Sequence, residues 1–230
     1  GLGGFEKECL ERFLSPWRRV YLIDGHDRRA AAKRGSQALD TKHLAAPTGQ
    51  LGRAFASTRA VLATVGRDDM DAPTPCVSWA VRDVINHVVG SARWATASIG
   101  SGEEEAGADV AAGDFLAVYD ESVARAMAAF AADGALDRTV RLDFGEFTGR
   151  GLMGIAATDQ FVHGWDLARA LGHRTDLDPE LAGELLAQAR TTIFAEYRGP
   201  DGVAPFGPVV EAPDGACPAD RLAAFLGRAA

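Results

Sequence analysis

Asp159 and His163 stand four residues apart within residues 151–172, a stretch whose other inward positions are apolar. Residues four apart lie one above the other on a helix. Leu152, Ile155, Ala156, Asp159, Val162/His163, Asp166 and Ala170 then form one face, with two carboxylates and an imidazole where a core face carries apolar groups. An unpaired buried carboxylate is costly, so something must compensate it, and a divalent metal ion would do so. His87 offers a third ligand. It lies in residues 78–94 (SWAVRDVINHVVGSARW), where Val84, His87/Val88 and Ser91 share the inner face of a second helical segment. A plainer reading stays open: a histidine on an apolar face is commonly a core residue bonded to a carbonyl. The lack of lysine or arginine on both faces favours the metal.

These ligands need helices to position them, and from about Leu44 the chain reads as mostly helical. Leu51, Phe55, Thr58, Leu62 and Val65 mark a first helix, with Gly66 as its stop. The proline-rich turn 71–76 follows, with Ser78 as N-cap of the His87 helix. A third helix begins after Asp114, with Leu116, Tyr119/Asp120, Val123, Met127 and Phe130 inward and Gly134 at its end. Residues 139–149 (TVRLDFGEFTG) alternate apolar and polar around Gly145-Glu146 and predict a small hairpin. After the Asp159/His163 helix, Asp178-Pro179-Glu180 is a helix start, N-cap then proline. The loop from Arg198 leads to a last short helix at 218–227.

Composition bounds the function. The 230 residues are 47% hydrophobic, enough for one full core. A net charge of −8 disfavours nucleic acid and anionic membranes as partners. No apolar run reaches the ~20 residues of a membrane span, and the opening 13 residues have no signal-peptide pattern. Cys9, Cys76 and Cys217 are odd in number and form no CxxC, which leads to the expectation of a reducing cytoplasm. Cys76 reads as a small buried hydrophobe. All three lysines fall in the first 42 residues. The first 45 residues carry nine Lys/Arg against six Asp/Glu, and the other 185 carry 15 against 26. Residues 1–43 are therefore expected to be an appended segment, a docking arm or expression-derived, and residues 44–230 the metal-binding domain. Asp24-Gly25-His26-Asp27 reads as a turn.

No GxSxG, GxxxxGK, GxGxxG or HExxH motif is present. Two histidines and a carboxylate also describe a non-haem iron triad, but that usually sits on a β-barrel. At residues 71–90 (DAPTPCVSWAVRDVINHVVG), 159–172 (DQFVHGWDLARALG) and the ending PFGPVV…ADRLAAFLGR, the chain resembles the actinobacterial DinB-like proteins related to mycothiol-dependent maleylpyruvate isomerase. The resemblance covers roughly residues 45–230. It implies an all-α fold: a DinB-type four-helix bundle with a small β-hairpin and a short C-terminal helix. It also implies one divalent metal, with zinc expected, held by His87 from the second helix and by Asp159 and His163 from a later one. The isomerase has glutamate where this chain has the shorter Asp159.

Two imidazoles and one carboxylate leave zinc an open fourth position, as in catalytic sites. A thiol ligating there loses its proton, and the resemblance supplies mycothiol as that thiol. S-transfer to a small electrophile is expected ahead of maleylpyruvate isomerisation, with a metal hydrolase or a non-catalytic metal-binding stress protein as alternatives. Asp166 is the candidate catalytic residue, orienting a ligand imidazole or accepting a proton; a salt bridge to Arg169 or Arg82 is its plainer role. Asp83 reads as a first-turn helix charge. The expected partners are a small-molecule substrate and a low-molecular-weight thiol, and a homodimer is compatible with the sequence.

Overall fold

The computed structural model describes residues 48–100, 109–142, 145–200 and 203–229. The leader with its boundary at residue 43 and most of the acidic loop near 100–113 lie outside the described residues. Among the described residues are α1 (Gly49–Leu62), α2 (Val81–Ser98), α3 (Phe115–Ala131), α4 (Gly149–Ala170), α5 (Pro179–Thr192) and α6 (Pro218–Phe225). Strands β1 (Thr139–Leu142) and β2 (Gly145–Thr148) form an antiparallel hairpin between α3 and α4. The fold is all-α with one hairpin and a short C-terminal helix, as expected. Helices α1, α4, α2 and α3 follow one another around a four-helix bundle, and α5 and α6 pack together beside it. No helix among the described residues is long and apolar enough to cross a membrane.

Local chemistry sets most of the boundaries. Asp178 caps α5, its Oδ1 accepting from the Leu181 N–H at 3.1 Å, with Pro179 as first helical residue. Thr148 ends β2 and caps α4 through Oγ1, which accepts from the Gly151 N–H at 3.1 Å. Four expectations shift. Helix α1 ends at Leu62, and Gly66 is extended rather than left-handed, so it is no C-cap. Ser78 does not cap α2. Ala80 does, and its N–H donates to Asp83 Oδ2 at 2.9 Å. The Trp79 N–H is already held by the Cys76 carbonyl at 2.7 Å, which keeps Ser78 in the preceding turn. In the hairpin, Gly145 pairs with Leu142 and Glu146 with Arg141, so Gly145-Glu146 belongs to β2. The inward stripe of α3 holds for Tyr119 and Phe130, which are buried, and for Leu116, Val123 and Met127, which pack against the core; Ser122, Ala126 and Ala129 are buried beside them. Asp120 instead faces outward and binds Arg59 at 2.8 and 2.9 Å.

The largest departure concerns α4. A surface helix shows one apolar stripe, but α4 is enclosed almost all round. Met153, Phe161, Trp165 and Leu167 are buried as fully as the expected face. Helices α1 and α2 cover two sides, and α6 packs on another, where the Trp165 indole N–H donates to Asp220 Oδ1 at 2.8 Å. Gly164 permits the approach of α1. A Cβ there would stand 3.1 Å from Thr58 Cα and closer still to its Oγ1. Gly164→Ala is therefore expected to lower unfolding free energy by about 1–3 kcal/mol, the usual cost of overpacking. Urea denaturation measures this, and an unchanged midpoint would mean that the two helices separate freely.

The outer layer is tied on by charge. Arg53 of α1 donates from Nε to Asp178 Oδ2 at 2.9 Å and lies 3.3 Å from Glu180 and 3.5 Å from Glu184. Burial raises the Asp178 pKa, but the Arg53 hydrogen bond and the Leu181 N–H outweigh it and hold the carboxyl below its ordinary range. A depressed folded pKa adds stability that is present above the unfolded value and lost as pH falls through the folded one. Wild type is thus expected to exceed Arg53→Met in stability at neutral pH by at most about 1 kcal/mol, since the pair is partly solvated. That difference should begin to shrink below about pH 4 and vanish once pH has fallen past the lower folded pKa of Asp178. Denaturant titrations across pH test this, and a gap that persists in acid would assign it to packing of the arginine stem.

Candidate metal centre

The bundle brings His87, Asp159 and His163 together, all buried, with one potential ligand atom from each lying within 4.8 Å of the others. His87 comes from the middle of α2 and the other two from successive turns of α4. Gln160, the neighbour of Asp159, fixes the rotation of α4. Its carbonyl accepts from Thr58 Oγ1 of α1 at 2.7 Å, and its Oε1 accepts from Tyr119 Oη of α3 at 2.8 Å. Its Nε2 donates to the Val88 carbonyl and Ser91 Oγ of α2, both at 2.7 Å. Burial pushes the Tyr119 hydroxyl well above its ordinary pKa, which keeps it a neutral donor.

The polar contacts converge on a cation. His87 Nε2 lies 3.1 Å and His163 Nε2 3.5 Å from Asp159 Oδ1. On the far side of the ring, His163 Nδ1 lies 2.9 Å from Asp166 Oδ2. A neutral imidazole has one N–H to donate, yet His163 has a carboxylate at each nitrogen. Once Nδ1–H serves Asp166, a lone pair on Nε2 faces a carboxylate oxygen, and only a proton or a metal ion between them removes the repulsion. Asp159 Oδ2 is also buried with no hydrogen-bond partner. An orphaned carboxylate oxygen beside two Nε2 atoms fits a divalent ion, and a carboxylate behind a ligating histidine is the usual supporting arrangement.

Electrostatics agree. Burial would raise the Asp159 pKa, but the adjacent imidazoles outweigh it and hold the carboxyl well below its usual range. For His163, burial acts downward, and hydrogen bonds to Asp159 and Asp166 carry its pKa above the ordinary value. Asp166 is fully buried, and the cationic Arg228 beside it keeps it ionised against the effect of burial. The arginine partner of Asp166 is therefore Arg228, not Arg169 or Arg82. Its Nε and Nη2 lie 3.3 and 3.2 Å from the carboxylate, while Arg82 pairs with Asp71.

Trp79 covers the imidazoles, its ring centroid 4.6 Å from that of His87 and 5.3 Å from that of His163. The tight turn before α2 seats it, with Thr74 Oγ1 donating to the Trp79 carbonyl at 2.8 Å. Asp159 and His163 open onto a cavity of about 650 Å³, whose far wall comes from residues 199–200, 204–208 and 226–228, the last just after α6. Two glycines let these wall segments meet. Gly227 has φ +93°, and a Cβ on it would lie 2.6 Å from Gly207 Cα.

The structure thus gathers all three expected ligands and sets Asp166 behind His163, outside the lining of the cavity. Sequence reasoning assigned no role to Trp79, Gln160 or Arg228. Trp79 and Arg228 both stood in the motifs that carried the resemblance, and a glutamine next to Asp159 on a buried helix was the signal for the third.

A family model described as the mycothiol maleylpyruvate isomerase N-terminal domain matches residues 51–168. Two uncharacterized proteins of Mycobacterium tuberculosis, from strains CDC 1551 / Oshkosh and H37Rv, are each 42% identical over 180 residues, which is 76% of this chain and 94% of theirs. No solved structure matches. The family match takes in His87, Asp159, His163 and Asp166 and stops before the far wall and Arg228.

Proposed function

The chain belongs to the mycothiol maleylpyruvate isomerase N-terminal domain family, and we propose that it is an enzyme joining a low-molecular-weight thiol, mycothiol, to a small electrophile at a zinc site made by His87, Asp159 and His163. The observation that carries this reading is His163 flanked by two carboxylates, beside an orphaned Asp159 oxygen, at the edge of an open cavity. A divalent ion held there would supply Lewis-acid chemistry, lowering the pKa of a ligating thiol so that it reacts as thiolate.

The chain's own residues have defined parts. Asp166 accepts the Nδ1–H of His163 and so keeps the Nε2 lone pair turned toward Asp159; it is a positioning residue. Arg228 neutralises Asp166, and Trp79 covers the imidazoles and limits water. In the reaction the sulfur lone pair forms the new C–S bond, the thiol proton goes to solvent, and the displaced pair departs with the leaving group. On an activated alkene, the π pair moves to the neighbouring carbon and takes up a proton. Expulsion of the thiol after bond rotation would make the same step an isomerisation. The aspartate in place of the isomerase glutamate and the apolar cavity support transfer.

The open cavity beside Asp159 and His163 counts against a passive metal binder. We assign this chemistry to residues 44–230, with small molecules as the partners. The test is to incubate zinc-loaded protein with mycothiol and a panel of electrophiles. Thioether formation is expected in wild type, with at least about a 100-fold loss in His87→Ala, the scale on which metal-site changes act. Substrate consumed equally well without thiol would instead identify a hydrolase.

A further inference from the structure

The cavity beyond the metal centre has a composition that selects its occupant. Its walls include Phe147, Ile155, Val162, Ile193, Phe206 and Leu226, and among the described residues its lining carries one carboxylate, Asp159, and one guanidinium, Arg228. That guanidinium is committed. Nε and Nη2 donate to Asp166, and Nη1 donates to the Leu226 carbonyl at 3.3 Å. The rim is apolar as well. The exposed large hydrophobic residues of the described chain are Val77, Phe194, Val203 and Val209. Val77 lines the cavity itself, and the other three are each next in sequence to a lining residue, Ile193, Ala204 or Pro208. An apolar rim continuous with an apolar pocket marks a ligand site.

Charge points the same way. Asp159 and Asp166 against Arg228 leave one net negative charge. A divalent ion and a thiolate together bring the sum to zero, which leaves no charge for an anionic second substrate to neutralise. A carboxylate placed against these walls would lose its hydration and meet no cation except Arg228, which already pairs with Asp166.

We propose that the second substrate is a neutral electrophile with a predominantly apolar body, seated between residues 204–208 and α4, and that dicarboxylates are excluded. The proposal rests on the thiol-transfer reading for the reaction but concerns the cavity alone. Its sulfur-to-carbon step is the one written above: for an epoxide, the C–S bond forms as the C–O bond breaks and the oxygen takes a proton.

The experiment measures displacement of the neutral fluorophore N-phenyl-1-naphthylamine from the full chain, both metal-free and zinc-loaded. Styrene oxide is expected to displace the probe and maleate is not, in the metal-free form and in the zinc-loaded form saturated with mycothiol. Thr158→Trp places an indole in the cavity from α4 and is expected to weaken probe binding by at least about tenfold. Val77→Asp, at a position 85% exposed and so harmless to folding, is expected to weaken it several-fold. Maleate competing as well as styrene oxide in the metal-free protein would overturn the proposal. Probe affinity unchanged in Val77→Asp and in folded Thr158→Trp would overturn it too. Neutral ligands that bind but form no thioether with mycothiol would uphold the cavity and sink the transferase. Thioether formed from maleate and not from styrene oxide would do the reverse.

Discussion

Replacing Asp159 by leucine is expected to abolish high-affinity metal binding and to leave the metal-free protein as stable as wild type, or more so. The two effects have one origin. Asp159 is buried at the meeting of α2 and α4, with Oδ2 lacking any hydrogen-bond partner and Oδ1 facing two imidazole nitrogens. Without the ion, this carboxylate has lost its hydration and is only half compensated. Leucine has a similar volume and no such demand. At a pH where both imidazoles are neutral the exchange strands no opposite charge, and replacing buried charge by packed apolar volume is then often neutral or stabilising by about 1–4 kcal/mol. Metal affinity should fall by more than about 100-fold, since even supporting groups matter on that scale. Metal content after dialysis and thermal unfolding in chelator measure the two sides. A metal-free variant several degrees less stable than wild type would show that the carboxylate–imidazole cluster stabilises the bundle unaided.

Arg228→Ala is expected to have the opposite character, a large loss of stability from a residue outside the bundle. Removing the guanidinium leaves Asp166, which has no solvent exposure, bonded only to His163. Breaking a buried pair from one side costs about 3–5 kcal/mol because the remaining charge is uncompensated. Adding Asp166→Asn should restore much of that loss, since the charge goes as well. A double-mutant cycle in urea gives the coupling directly. Strictly additive losses would place the effect of Arg228 in the cavity wall rather than in its pairing with Asp166.

What the sequence made legible follows from how local each signal is. The ligands could be read because a period of four on an apolar helix makes Asp159 and His163 conspicuous, and because His87 interrupts a second apolar face. Asp178-Pro179 announced its helix because capping needs only neighbours in the chain. The encirclement of α4 was not legible from one stripe, because Phe161 and Trp165 read as ordinary apolar residues until a second layer is placed over them. The stripe of α3 was misjudged where Arg59, from another helix, draws Asp120 outward. Arg228 lies 62 residues from Asp166, and no periodicity links them. The turn that seats Trp79 depends on Thr74 accepting and donating within the loop, a pattern that spacing does not announce.

The burial of α4 on nearly every side makes the metal centre's geometry inseparable from the integrity of the bundle. Segments exchange their amide hydrogens through the smallest opening that frees them. For residues around Asp159 and His163 no small opening exists, because Gln160 is bonded to α1, α2 and α3 at once. Their amides should exchange only when the whole domain unfolds. The cavity's far wall is tied to the same floor, because Arg228 pairs with Asp166 of α4 and Arg198 bonds the Gly207 and Phe225 carbonyls. The molecule thus sets its ligands on a floor that moves only with the fold, so a molecule entering the cavity meets a geometry already fixed.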